Sequence, residues 1–92
     1  MKKETTDRGF QYYKFKDRYD HTCSIQKSSL ATENAIWFGI DDPKPQICKM
    51  GDEWVDFPIP DDVLLHTRMH LTQEQVKELL PILTKFIKTG EI

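Results

Sequence analysis

The chain has 92 residues, 38% of them hydrophobic and 30% charged, with a formal net charge of −2. That balance excludes a disordered chain, which would be poorer in apolar residues, and a general nucleic-acid binder, which would carry a basic excess to meet phosphates. No apolar run reaches the roughly 18 residues of a spanning helix, and "MKKETTDRG" has no apolar stretch behind its lysines, so neither a membrane segment nor a secretory signal is expected.

At this length a single core supplies only about 3–5 kcal/mol of net stability. Two Trp, three Tyr and five Phe provide material for a shared subunit surface, so a homo-oligomer, a dimer first, is expected. Cys23 and Cys48 form no CxxC pair and are too few for a disulfide scaffold. They read as two reduced thiols of a cytoplasmic protein, with one Cys23–Cys48 bridge as the alternative.

Residues 1–9 read as a flexible tail, and 10–92 as one α+β domain. "FQYYKFK" (10–16) is aromatic-rich and strand-like, "DRYD" is a polar turn, and "HTCSIQK" (21–27) alternates apolar and polar, so together they predict a hairpin. "SSLATEN" (28–34) is a polar connection with room for one helical turn. "AIWFGI" (35–40) is an apolar strand that "DDPKPQ" stops with two prolines. "ICKM" and "EWVDFPI" predict two further short strands around a "GDE" turn.

From Val63 to Leu71 the alternation returns. Val63, Leu65, Thr67, Met69 and Leu71 take one side of an extended chain, and Leu64, His66, Arg68 and His70 take the other. The last element is the clearest. Val76, Leu79, Leu80, Leu83, Phe86 and Ile87 recur at helical spacing, Thr72 and Gln75 are placed for a capping box, and Gly90 suits the position just past the end. Pro81 is expected to kink this helix rather than end it, because the stripe continues in phase on both sides. The architecture predicted is an antiparallel sheet of four to five strands with one long C-terminal helix packed on one face.

Candidate chemistry centres on the polar side of the 63–71 strand. Four residues apart on a strand, His66 and His70 would lie about 13 Å from each other, while a zinc–nitrogen bond is about 2 Å, so they cannot share a metal. Neighbours on one strand face are about 6.6 Å apart, a fitting span for phosphates. Arg68 supplies a planar fork of donors, flanked by two imidazoles that can donate as well. The plainer reading is a wet face with Arg68 paired to an acid. Gln26, Lys27, Ser28 and Ser29 form a second cluster of donors and acceptors, which local turn chemistry also explains. Trp37, inside an apolar run, reads first as core and second as a stacking platform. Trp54 reads as exposed or as an interface residue. The acids at 41–42, 52–53, 56 and 61–62 read as solvated turn residues. No nucleophile lies beside an evident base and no cofactor motif is present, so an enzyme is the least supported class.

Taken together, "CSIQKSS" (23–29), "IWFGIDD" (36–42) and "RMHLTQEQVKELLPILTKFIKTGEI" (68–92) resemble a pattern of small proteins from bacteriophages, prophages and gut bacteria, most of them uncharacterised. The resemblance leaves out the N-terminal residues and "QICKMGDEW", and it carries no residue roles. It implies a small phage-type accessory protein in a bacterial cytoplasm that acts by binding something the host makes. Joined to the residues above, the expectation is an anionic, nucleotide-like small molecule, such as a host immune signal. His66, Arg68 and His70 would hold phosphate, the 26–29 cluster would hydrogen-bond ribose or phosphate, and an aromatic such as Trp37 would stack. The alternative is an inhibitor or adaptor that docks on a host defence protein.

Overall fold

A computed structural model describes residues 1–30 and 32–92. Its strands are β1 (Lys2–Thr5), β2 (Gln11–Lys16), β3 (Thr22–Lys27), β4 (Ala35–Ile40), β5 (Gln46–Lys49), β6 (Glu53–Asp56) and β7 (Met69–Thr72), followed by helix α1 (Gln73–Thr89). The fold class is α+β. Five strands form one antiparallel sheet in the order β1-β2-β3-β4-β7, and β5 and β6 form a separate hairpin inserted between β4 and β7. Among the described residues no helix is long and apolar enough to cross a membrane.

Residues 1–9 are not all tail: Lys2–Thr5 pairs with Gln11–Lys14 as the edge strand β1. Short, charged strands are a usual way to finish a sheet edge, and "KKET" has that character. The helical turn expected within "SSLATEN" is absent from its described residues, and Ala31 lies outside them.

The β2–β3 turn is organised by one carboxylate. Asp17 Oδ1 accepts from the Tyr19 and His21 amides at 2.9 Å each, and its Oδ2 faces His21 Nδ1 at 3.2 Å. The His21 amide foremost, with the His21 ring and the Tyr19 amide, holds the Asp17 carboxyl below its ordinary range.

Strand β7 starts later than the alternation of 63–71 predicts. Residues 63–68 lie outside the ladder: in the β4–β7 register Arg68 and Thr67 face Gly39 and Ile40, the last residues of β4, and residues 63–66 fall beyond its end, where Pro43 and Pro45 follow. Thr67 still anchors to the end of β4, donating its hydroxyl to the Ile40 carbonyl at 2.5 Å. Here the two backbones approach so closely that a Cβ on Gly39 would run into the Thr67 carbonyl and lie 2.8 Å from Arg68 Cα, so only glycine fits.

Helix α1 begins as the sequence predicts. Thr72 Oγ1 accepts from the Gln75 amide at 3.2 Å, and Gln75 Oε1 accepts from the Thr72 amide at 3.0 Å. It ends at Gly90, whose left-handed φ of 74° lets its amide reach the Phe86 carbonyl at 2.8 Å. Pro81 lies inside an uninterrupted helical span. The packing is narrower than expected, however. The helix meets the sheet substantially along β7 alone, and none of its residues is buried. Among the described residues buried positions are few, namely Cys23, Ser24 and Ala35 in β3 and β4. The cysteines are both free: Cys23 is buried in β3, where desolvation raises its thiol pKa, and Cys48 is exposed on the hairpin.

Candidate functional site

Strand alternation sorts the sheet into two unlike faces. Glu4, Tyr12, Gln26, Trp37 and His70 stand in one cross-strand row, with Lys14 and Ser24 in the next row on the same side. Their opposite numbers, such as Ile25, Phe38 and Met69, form an apolar face on the other side.

Trp37 is the centre of the polar face. The Arg68 guanidinium carbon lies 4.4 Å from the centre of the indole, and the His70 ring meets the indole edge-on at 5.3 Å and 71°. A cation over an indole contributes about 0.5–2 kcal/mol, increasing as water is excluded. One guanidinium nitrogen of Arg68 is held by Asp41 Oδ1 at 3.2 Å, and the Ser24 hydroxyl donates to that same oxygen at 2.6 Å. This is a single-point pair rather than a bidentate fork, so the guanidinium keeps further N–H donors. Its side chain is 32% exposed. The Trp37 indole N–H is buried without a hydrogen-bond partner among the described residues, a condition that costs about 1–3 kcal/mol when nothing answers it.

Further along the face, Tyr12 donates its hydroxyl to Glu4 at 2.7 Å, which raises the phenol pKa above its ordinary value. Lys16 donates to Thr22 Oγ1 at 3.1 Å. Lys2, Lys14 and Lys16 border one shallow hollow with Glu4, and together with Arg68 they give this side more cations than carboxylates.

The residues expected from sequence divide accordingly. Arg68, His70, Trp37 and Gln26 come together on the polar face. His66 does not join them. It borders a cleft of about 350 Å³ beyond the end of the ladder, with His21, Pro43, Lys44 and Pro45. Lys27 lies one residue from Gln26 and so on the opposite face, beside the start of α1. Ser28 uses its amide on the Ala35 carbonyl and its hydroxyl on the Leu30 amide, closing the β3–β4 connection, and Ser29 is exposed beyond the strand end. Asp41, expected to be a solvated turn acid, is instead the anchor of Arg68. Ser24, Tyr12 and Lys14 also belong to the face without having been singled out. For Ser24 and Tyr12, the alternation around Gln26 and in "QYYKFK" was the available signal.

Compared with known protein families, with curated proteins and with solved structures, the chain has no significant match.

Proposed function

We propose that the protein is a small phage-type accessory protein, working in the cytoplasm of a bacterial host, that binds and sequesters an anionic, nucleotide-like small molecule without transforming it. The observation that carries this reading is the Arg68–Trp37–Asp41 arrangement: a guanidinium stacked on an indole, anchored through one nitrogen, with donors to spare. A base or adenine-like ring would meet the outer side of the guanidinium that covers Trp37, and the exposed His70 ring beside it. Phosphate has Arg68 and, further along the sheet, Lys14. Gln26, beside Trp37 in the same cross-strand row, is the polar contact for a sugar.

The test is a thermal-unfolding panel of nucleotides and cyclic nucleotides. A ligand at a hundredfold excess over its Kd stabilises the native state by about 2.7 kcal/mol. Wild type is expected to show such a shift with at least one member. Arg68→Ala is expected to lose it, Arg68→Lys to keep part of it, and His66→Ala to keep all of it. Shifts of equal size in wild type and Arg68→Ala, or no shift in wild type across the panel, would overturn the reading.

A second reading, docking on a host defence protein, is favoured by the β5–β6 hairpin. Its Trp54 is 64% exposed and the Met50 side chain at its tip is fully exposed. Exposed aromatics of this kind anchor protein interfaces. Under that reading a host protein is captured by wild type and lost with Trp54→Ala, while nucleotides leave the melting temperature unchanged.

A further inference from the structure

The apolar side of the sheet and the apolar stripe of the helix are both uncovered, and each supplies what the other lacks. On the sheet, Ile25, Phe38 and Met69 form the central row, flanked by Cys23 with Ile40 and by Ile36 with Leu71. The first half of α1, as far as Ile82, approaches this surface along β7: Val76 borders a hollow with Ile36 and Leu71, and Leu79 and Ile82 border another with Met69. On the helix's uncovered side and towards its C-terminus, Leu80, Leu83, Phe86 and Ile87 are 61%, 47%, 53% and 82% exposed. Soluble monomers rarely leave contiguous apolar patches of more than a few hundred Å² open to water.

The size of the mismatch points to what covers it. The chain exposes 8160 Å², whereas a compact monomer of 10.9 kDa exposes about 5,600 Å². Its radius of gyration is 16.6 Å, against about 12 Å for a compact chain of this length. That excess of about 2,600 Å² is shared between the apolar sheet face, the helix and the separate β5–β6 hairpin, and even half of it exceeds the roughly 800 Å² that a standard complex buries on each partner.

We propose that the cover is a second copy of this chain, with each helix lying across the apolar sheet face of the other about a two-fold axis. The dimensions agree. Seventeen helical residues span about 25 Å, and five strands span about 19 Å from first to last. The helix lies along β7 rather than over its own sheet, with β7 passing into α1 without a linker at the capping box of Thr72. A two-fold arrangement is self-complementary, so one exchange covers both helices and both sheets. The polar face lies on the other side of the sheet, so this dimer forms whether or not that face holds a ligand.

Sedimentation equilibrium of the full chain tests the proposal, with unfolding followed at several protein concentrations. Wild type is expected at twice the 10.9 kDa chain mass, with a melting temperature that rises with concentration, as mass action requires. Phe86→Asp is expected to weaken association by about tenfold or more. Ile87→Ser is the milder variant. Ile87 is 82% exposed in the single chain, so its loss cannot harm the isolated fold, and weaker association with Ile87→Ser reports the interface itself. Trp54→Ala, on the hairpin, is expected to leave association unchanged. A mass of one chain with a concentration-independent melting temperature overturns the proposal. So does a dimer that survives both helix substitutions, or one that Trp54→Ala abolishes.

Discussion

The two faces of the five-stranded sheet are built from the same strands but solve different problems. On one side, Trp37 is surrounded by groups that hold one another through named polar contacts: Arg68 to Asp41, Ser24 to Asp41, Tyr12 to Glu4. On the other, Ile25, Phe38 and Met69 have no polar atoms to pair and only the start of a helix beside them. Polar pairing confers geometry at little net energy, about 1 kcal/mol per bond. Apolar burial confers energy, about 25 cal/mol for each Å² removed from water, but only once something covers the surface. A sheet with one face of each kind therefore has a well-defined polar side and a stability that depends on what meets the other.

Substitutions on each face sharpen that contrast. The largest effect is expected on the apolar side. Phe38→Ala should cost about 3–5 kcal/mol if a second copy covers the ring, and about half that if the face stays open to water, a difference that urea denaturation at high and low protein concentration resolves. On the polar side, Asp41→Ala removes the partner of a one-third-exposed guanidinium and of the Ser24 hydroxyl. Solvent screens the Arg68 part of that loss, but the buried Ser24 hydroxyl is left without its acceptor, so the cost should be about 1–3 kcal/mol, and the same denaturation experiment should show no dependence on protein concentration beyond that of wild type. The smallest effect belongs to neither face. Because the Asp17 carboxyl is held below its ordinary value, its contribution to the β2–β3 turn is present above the unfolded-state value near 3.9 and is lost as pH falls through the lower, folded-state value. Amide exchange at Tyr19 and His21 should quicken relative to the strand amides in that acid range, with the sheet as a whole intact.

Much of the fold was legible in one dimension wherever a local rule decides. The helix, its capping box at Thr72 and Gln75, and its end at Gly90 are satisfied within a few residues of chain. The strands of "QYYKFK", "TCSIQK" and "AIWFGI" follow from alternation and from the prolines and turns around them. Elements decided by a distant neighbour were not legible. Residues 63–66 alternate as well as any strand, yet they fall beyond the end of β4 at Ile40. "KKET" shows no apolar pattern, and is a strand because β2 offers it an edge. The site followed the same division. Arg68, His70, Gln26 and Trp37 were visible as residue types, but the meeting of Arg68 with Asp41 spans 27 positions and exists only because β7 pairs with β4. Gln26 and Lys27 show the opposite case, since strand period alone sends neighbours to opposite faces.

The direct passage from β7 into α1 makes strand and helix behave as one lever. His70 rests against Trp37 at the short arm, and Phe86 and Ile87 ride near the tip of the long one, about 20 Å from the start of the helix. Without a hinge between the arms, a tilt of β7 by about 5° carries that tip through about 2 Å. The aim of the helix is therefore set by how four residues of one strand sit beside an indole.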